Sequence, residues 1–235
     1  MRKLCPVCEE LLKPDSLGGC YCRGCGWSGF WSQARKEPAP PTVTPKLSYV
    51  SIDIETTGLN PETCQILEIG AVWDDWTKPI DQLPWYRRLV VHDEYRGSAY
   101  ALSLNANLLK RLSGKMESWF LDPAQVADDF ADWLRDQCGW DGKTALTPAG
   151  KNFASFDRQF LKRLPRFEEV VKLNHRTLDP AILFWQQEDI SIPGSKTCYE
   201  RAGIDGKVAH TAVEDALAVV RLVRTGIKHL RGVTP

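Results

Sequence analysis

The chain has 235 residues, of which 43% are hydrophobic and 26% are charged, and this ordinary globular composition excludes a fibrous or wholly disordered chain. Its 30 basic and 30 acidic side chains balance, which excludes a uniformly basic coat for nucleic acid but not a local basic face. No apolar run approaches the roughly 18 residues of a membrane-spanning helix, and the start MRKLCPVC lacks the apolar stretch of a signal peptide, so we expect a cytoplasmic protein with no membrane partner.

Cysteines are concentrated at the start of the chain, where five of the eight lie within the first 25 residues. Cys5-x2-Cys8 followed by Cys22-x2-Cys25 has the ligand spacing of a zinc ribbon, because each CxxC turn directs two thiolates at one point. Cys20 competes with Cys22 as a ligand, but its spacing from Cys25 is poorer. The alternative is a redox-active dithiol or disulfide pair, which a reducing cytoplasm disfavours. The spacing therefore predicts one structural Zn²⁺ ion.

A proline-rich segment follows the cysteines, with four prolines among residues 37–45. Proline fixes φ and donates no backbone hydrogen bond, so this segment is expected to form an extended linker rather than a helix or central strand. We therefore predict a zinc ribbon at residues 1–34, a linker at 35–46 and one large domain at 47–235. The role of the ribbon stays open between contact with nucleic acid and docking of a protein partner.

The large domain begins with strands and continues with alternating helices and strands. Alternating segments rich in β-branched and aromatic residues predict strands, joined by short turns, at residues 47–55, 65–73 and 85–91. The remaining predicted elements are helices at 103–111, 123–137, 155–164 and 211–223, and a strand at 143–152. This order predicts an α/β domain whose mixed sheet is flanked by helices.

Two acids interrupt the first predicted strand. Asp53 and Glu55 are two residues apart and therefore share one face of the strand, while Ile52 and Ile54 point to the opposite face. Carboxylates this close resist joint ionisation unless a cation neutralises them, and their hard oxygens suit Mg²⁺ or Mn²⁺. An edge strand with an ordinary polar face would show the same pattern, so this pair alone does not establish a metal site.

Two further acids stand near predicted helix starts. In Asn152-x4-Asp157, Asp157 falls in a first helical turn, where a carboxylate can simply stabilise the helix. In His210-x4-Asp215, Thr211 is a suitable N-cap for the last helix. Positions five apart are about 140° apart around a helix, so His210 and Asp215 reach one cleft only if His210 lies before the helix or in its first turn.

These three motifs, in this order, resemble those of the DEDD exonucleases, in the subgroup with a histidine in its third motif. That superfamily contains proofreading exonucleases, oligoribonuclease and RNase T. DIETTGL at residues 53–59 is similar to the first motif of the family, and ILEIGAV at 66–72 is similar to its second strand. The resemblance spans about residues 48–225 and implies an RNase H-like fold with a mixed five-stranded sheet.

The resemblance implies a 3′-to-5′ exonuclease that hydrolyses phosphodiester bonds at single-stranded DNA or RNA ends and releases nucleoside 5′-monophosphates. By position, Asp53, Glu55, Asp157 and Asp215 match the acids that hold two Mg²⁺ or Mn²⁺ ions, and His210 matches the general base. Two such ions about 4 Å apart can stabilise the attacking and leaving oxygens of an in-line displacement. Asp53 would bridge them, and Glu55 and Asp215 would hold the ion that activates water.

The resemblance also implies substrate contacts. In the family, the turn that corresponds to Thr56, Thr57, Gly58 and Leu59 touches the terminal nucleotide through backbone groups and an apolar side chain. Turn geometry and core packing explain Gly58 and Leu59 equally well. Asn152 either hydrogen-bonds substrate or caps its loop.

Basic residues follow Asp157, and they either contact phosphates along a single strand or form a solvated helix face: Arg158, Lys162, Arg163 and Arg166. Family members are often dimers, so a homodimer is compatible with the resemblance, but the sequence shows no interface. Two other functions stay open. One is a non-catalytic adaptor that binds nucleic acid or protein, and the other is a thiol oxidoreductase that uses the CxxC pairs and binds no zinc.

Overall fold

The computed structural model describes residues 3–5, 12–14, 19–23, 25, 28–30, 35–36, 47–204 and 211–230. The chain divides into two compact units, Met1–Thr44 and Pro45–Pro235. The division falls within the linker predicted at residues 35–46, while the detailed bounds of the three predicted parts stay a prediction. Among the described residues, no helix is both long and apolar enough to cross a bilayer.

The N-terminal unit consists of short strands. They are β1 (Lys3–Leu4), β2 (Lys13–Pro14), β3 (Gly19–Tyr21), β4 (Ser28–Phe30) and β5 (Arg35–Lys36). β2, β3 and β4 form an antiparallel sheet, and β1 pairs antiparallel with β5. A small buried cluster contains Cys5, Leu12, Cys20 and Cys22. Units of this length usually gain stability from a further source such as a bound metal.

The large unit is built on a mixed five-stranded sheet, as the family resemblance implied. Its strands are β6 (Tyr49–Thr56), β7 (Ile66–Asp74), β8 (Trp85–Val90), β9 (Phe120–Leu121) and β10 (Pro148–Ala149). The spatial order is β10-β6-β7-β8-β9. β6, β7 and β8 pair antiparallel, whereas β9 and β10 join the two edges in parallel. All nine residues of the central strand β7 are buried.

Helices cover both faces of this sheet. They are α1 (Ala99–Leu104), α2 (Ala106–Leu112), α3 (Val126–Cys138), α4 (Asp157–Leu161), α5 (Phe167–Val170), α6 (Ser195–Ala202) and α7 (Ala212–Leu230). Side chains of α3, α4 and α5 pack against one face of the sheet and form the main core, which includes Ile52, Ile54 and Phe130. α7 packs on the other face, where Ala216 and Val220 meet residues of β6 and β7.

Tertiary hydrogen bonds explain where the observed helices differ from the predicted ones. The single helix predicted at 103–111 is two helices, α1 and α2, which meet at Asn105. The buried Asn105 amide donates to the carbonyl of Thr56 at 3.1 Å. This hydrogen bond therefore ties the junction between α1 and α2 to the end of β6. The strand predicted at 143–152 is reduced to the two residues of β10, an edge position that tolerates Pro148 because proline donates no ladder hydrogen bond.

Candidate metal centre

Three acids converge on the sheet face that α7 covers. Asp53 and Glu55 lie on β6 and Asp215 lies in the first turns of α7, and one carboxylate oxygen of each lies within 4.8 Å of the others. Ser51, on the same face of β6, donates its hydroxyl to the carbonyl of Ala216 at 2.8 Å. This buried hydrogen bond fixes α7 next to Asp215 and so holds the helical carboxylate against the strand.

Asp157 joins the cluster from α4, of which it is the first residue. Its carboxylate is 4% exposed and accepts a hydrogen bond from the backbone N–H of Ile54 at 3.2 Å. Ile54 lies between Asp53 and Glu55, so this bond places Asp157 beside the strand pair. The structure therefore brings together all four acids that the sequence motifs singled out.

Burial and mutual repulsion raise the pKa values of these acids. Burial raises the pKa of Asp53 well above its usual range, and the charges of Asp157, Asp215 and Glu55 raise it further. Burial raises the pKa of Asp157 to about 7, although two backbone N–H groups oppose the shift. A divalent cation would offset this repulsion, and a set of four carboxylates offers the hard oxygen ligands that Mg²⁺ and Mn²⁺ prefer. The residues present therefore fit the metal that the motifs imply.

His210 lies outside the described residues, which resume at Thr211. The Thr211 hydroxyl accepts the backbone N–H of Glu214 at 3.4 Å, and its carbonyl accepts the N–H of Asp215 at 3.0 Å. α7 begins at the next residue, Ala212. Thr211 thus caps α7 as the sequence predicted, and the role of His210 stays a prediction.

The turn after β6 is held from inside and exposes one apolar side chain. Thr57 is fully buried, and its hydroxyl donates to the carbonyl of Arg96 at 2.5 Å. Thr56 is also buried and donates its hydroxyl to the carbonyl of Gly58 at 2.7 Å. Leu59, in contrast, is 83% exposed, so core packing does not explain it. Contacts of this turn with a ligand would therefore involve Leu59 and backbone groups rather than the threonine side chains.

Asn152 occupies a strained position in the loop after β10. Its φ of 58° lies in the left-handed region, which asparagine tolerates better than most residues. Its N–H donates to the Asp179 carboxylate at 3.0 Å, and its carbonyl accepts the hydroxyl of Ser155 at 3.0 Å. The backbone of Asn152 therefore organises the loop before Asp157, while its side chain is exposed.

The arginines that follow Asp157 bind protein groups. Arg158 pairs with Glu168 at 3.0 Å, Arg163 pairs with Glu62 at 2.9 Å, and Arg166 contacts an Asp128 oxygen at 3.4 Å. Arg158 also donates to the carbonyl of Asn174 at 2.9 Å. These pairings favour a structural face over a row of phosphate contacts.

Two residues near the acids were not predicted from the sequence as part of the site. Glu68 on β7 is the direct partner of Glu55 across the β6–β7 pair, and an acid inside the apolar segment QILEIGAVW was a visible signal. Tyr199 on α6 gave no signal. Burial raises the pKa of its phenol, and the charges of Asp215 and Asp53 raise it further, so the phenol lies near the acids.

The N-terminal cysteines converge as well. The sulfurs of Cys5, Cys22 and Cys25 lie within 4.8 Å of one another, and those of Cys5 and Cys25 are 3.6 Å apart. Zn–S bonds of about 2.3 Å in a tetrahedron place sulfurs about 3.8 Å apart, so the spacing fits a zinc site. Cys8, the fourth predicted ligand, lies outside the described residues. Cys20 is buried in the adjoining strand and does not belong to this group of converging sulfurs.

No protein-family model and no curated protein matches the sequence. Solved structures of exonuclease I do match the structure. The E. coli enzyme in complex with a dT13 oligonucleotide gives a TM-score of 0.53 at 14% identity, covering 79% of this chain and 41% of that one. The zinc-ion-bound form of the E. coli exonuclease I–ssDNA complex gives 0.54 at 14% identity, covering 78% and 41%.

A product-bound exonuclease I gives a TM-score of 0.53 at 15% identity, covering 80% of this chain and 46% of that one. At identities this low the likeness shows a shared fold alone. The chain spans less than half the length of each of these structures.

Proposed function

We propose that this protein is a metal-dependent 3′-to-5′ exonuclease that releases nucleoside 5′-monophosphates from single-stranded ends of DNA or RNA. The observation that carries this proposal is the convergence of Asp53, Glu55, Asp157 and Asp215 on one point of a fold shared with exonuclease I. The structural neighbours include complexes with single-stranded DNA and with product, which supports a single strand as substrate.

Asp53, Glu55 and Asp215 would hold the catalytic cations, with Asp157 completing the site. Bound Mg²⁺ or Mn²⁺ supplies Lewis-acid stabilisation of the charge that develops on phosphate oxygens and lowers the pKa of water. The chain itself supplies the geometry. The N–H of Ile54 orients Asp157, and the Ser51–Ala216 hydrogen bond orients the helix that carries Asp215. His210 would accept the proton of the attacking water, a role that suits histidine near neutral pH.

Leu59 and an adjoining groove would receive the 3′ end of the single-stranded nucleic acid. The groove has a volume of about 870 Å³ and lies between residues 59–65 and 94–98. The exposed Leu59 stands in its lining, where an apolar side chain can pack against a base. Asn152 is exposed in the loop that precedes Asp157. From there it would contact the same single-stranded nucleic acid.

The N-terminal unit would bind one structural Zn²⁺ ion through Cys5, Cys8, Cys22 and Cys25. Because the ribbon precedes the catalytic unit on a proline-rich segment, it would act as a tethered second contact for nucleic acid or for a protein partner. Such tethering raises the local concentration of the strand without any change in the catalytic site.

A nuclease assay on 5′-labelled single-stranded DNA and RNA of matched sequence tests the catalytic proposal. Each strand is incubated with Mg²⁺, Mn²⁺ or EDTA and with wild type, Asp53→Ala or Asp132→Ala. Asp132 is an exposed acid of α3 that pairs only with Arg135 among the contacts described, so it controls for loss of an acid. EDTA also removes zinc, and the Asp53→Ala variant therefore isolates the acidic site.

We expect a metal-dependent ladder that shortens from the 3′ end with wild type and Asp132→Ala and is absent with Asp53→Ala. The two strands also show which sugar the enzyme prefers. If a folded, zinc-loaded wild-type protein cleaves neither strand under any metal but still binds them, the protein is a non-catalytic adaptor and the proposal is wrong.

A further inference from the structure

The first turn of α7 lies directly on the backbone of β7. A Cβ atom placed on Gly70 would lie 2.1 Å from the carbonyl carbon of Ala212 and 2.1 Å from the amide nitrogen of Val213. Atoms cannot approach this closely, so only glycine permits the contact. The start of the helix that carries Asp215 is therefore seated on one particular residue of the central strand.

Glu68 binds the same helical turn. It lies two residues before Gly70 and so points to the same face of β7. The backbone N–H of Ala212, the first residue of α7, lies close enough to the Glu68 carboxylate to oppose the rise in its pKa that burial causes. N–H groups in a first helical turn have no partner within the helix, so a side chain that accepts one of them fixes the helix end.

Arg87 neutralises Glu68 and comes from the next strand. The Arg87 guanidinium donates to the Glu68 carboxylate, which is 1% exposed, and Arg87 is the direct partner of Gly70 across the β7–β8 pair. The Glu68 carboxylate is thus paired with the Arg87 guanidinium and lies beside the Ala212 N–H at the start of α7. Among the described residues, it does not belong to the group of carboxylates within 4.8 Å of one another. Its contacts are those of a support rather than of a metal ligand.

We propose that Glu68, paired with Arg87, is a positioning residue that sets the first turn of α7 on β7 and thereby holds Asp215 against Asp53 and Glu55. Asp215 is three residues after Ala212 and therefore lies on the same side of the helix as the anchored residue. The inference rests on the proposed function, because it assigns Glu68 a part in forming the same acidic site.

The test compares Mn²⁺ binding and turnover in variants of the full chain. Glu68→Gln keeps the size of the side chain and an acceptor for Ala212 but removes the charge that Arg87 binds. Glu68→Asp keeps the charge and shortens the reach. Glu117→Gln is the matched control, because Glu117 also loses a pairing with an arginine, Arg111, but at an exposed position. Mn²⁺ binding is measured by electron paramagnetic resonance, which requires no activity.

We expect Glu68→Gln to weaken Mn²⁺ binding about 10- to 100-fold, the usual effect of removing a partner that orients metal ligands. We expect kcat to fall by a similar factor while the KM for the oligonucleotide changes less than about twofold, because the strand contacts are elsewhere. Excess Mn²⁺ should recover part of the activity, and Glu68→Asp should fall between wild type and Glu68→Gln. Glu117→Gln should match wild type.

Three outcomes separate this inference from the proposed function. If wild type binds Mn²⁺ and cleaves, and a folded Glu68→Gln variant equals it in Mn²⁺ affinity and kcat, the inference is wrong while the proposed function stands. Loss of stability in Glu68→Gln without a change in Mn²⁺ affinity assigns Glu68 a merely structural role and also overturns it. Wild type that neither cleaves nor binds Mn²⁺ more tightly than Asp53→Asn overturns both.

Discussion

The free-energy cost of ionising Asp157 depends on whether a cation is bound beside it. Its pKa is raised to about 7 by burial, so in the folded protein without a cation it binds a proton that the unfolded chain would release near pH 4. The contribution of Asp157 to stability is therefore present below about pH 4 and is lost as the pH rises toward 7. A bound cation would remove this dependence by stabilising the ionised form.

We accordingly expect Asp157→Asn to gain stability relative to wild type as the pH rises from 5 to 7.5 without added divalent metal. The asparagine stays neutral where the aspartate ionises. Urea unfolding of both proteins across this range measures the difference, which should shrink in saturating Mn²⁺. A difference that does not change with pH would contradict the proposed cost of the buried charge.

Leu59 is expected to affect the binding of single-stranded nucleic acid and not the stability of the fold. Because its side chain is 83% exposed, Leu59→Ala should change the free energy of unfolding by less than about 0.5 kcal/mol. The KM for a single strand should rise about tenfold, since covering a leucine side chain is worth about 1.5 kcal/mol. Steady-state kinetics check this, with the exposed Ile190→Ala as control. An unchanged KM would remove Leu59 from the proposed binding site.

Single residues also show where sequence analysis succeeds and where it fails. Asp53 and Glu55 were predictable as a pair because the two-residue period of a strand is a local property. The place of Asp157 beside them depends on its bond to Ile54, 103 residues away, and only the family motif connected the two in advance. Tyr199 was not predictable, because its position follows from the packing of α6 against α7.

At the scale of elements, a buried ion pair fixes α7 to the central strand. Asp74, at the end of β7, is fully buried and accepts hydrogen bonds from Arg224 of α7 at 2.6 and 2.8 Å. The hydroxyl of Tyr49 donates to the same carboxylate at 2.8 Å. Together with the Gly70 contact, this pair holds the helix at two points along its length.

Arg224→Ala should therefore lower the free energy of unfolding by about 3–5 kcal/mol, because it leaves the Asp74 carboxylate buried without its cation. Arg221→Ala, an exposed arginine of the same helix, should change it by less than about 0.5 kcal/mol. Urea unfolding compares the two. Equal losses in both variants would show that the ion pair does not hold α7.

The elements differ in how far local pattern determines them. β6, β7 and β8 were predicted within one or two residues because their apolar alternation is long. β9 and β10 have two residues each, too few for a period to show. The break between α1 and α2 depends on the bond from Asn105 to Thr56, a tertiary contact that overrides a continuous helical pattern.

At the scale of the whole molecule, the converging cysteines and the acidic site belong to different units of the chain. A Zn²⁺ ion bound by the N-terminal cysteines would contribute about 10–16 kcal/mol to the folding of that small unit. The large unit has an extensive core of its own. Loss of zinc should therefore unfold the first unit and leave the second intact.

Cys22→Ser should lose the single Zn²⁺ ion per chain and become sensitive to protease within residues 1–44, while residues 45–235 resist digestion and still shorten short oligonucleotides. Native mass spectrometry and limited proteolysis measure both effects. Cys138→Ser, at a cysteine outside the cluster, should keep its zinc. Retention of one zinc ion by Cys22→Ser would contradict the proposed ligand set.

The hydrogen bond from Ser51 to Ala216 joins positions 165 residues apart. A ribosome that adds about 5–20 residues per second makes the two positions roughly 10–30 s apart. Throughout that interval the nascent chain carries Asp53 and Glu55 without Asp215. A protein proposed to degrade single-stranded nucleic acid thus has no assembled acidic site until α7 has been synthesised, and a chain truncated before α7 keeps Asp53 and Glu55 without Asp215.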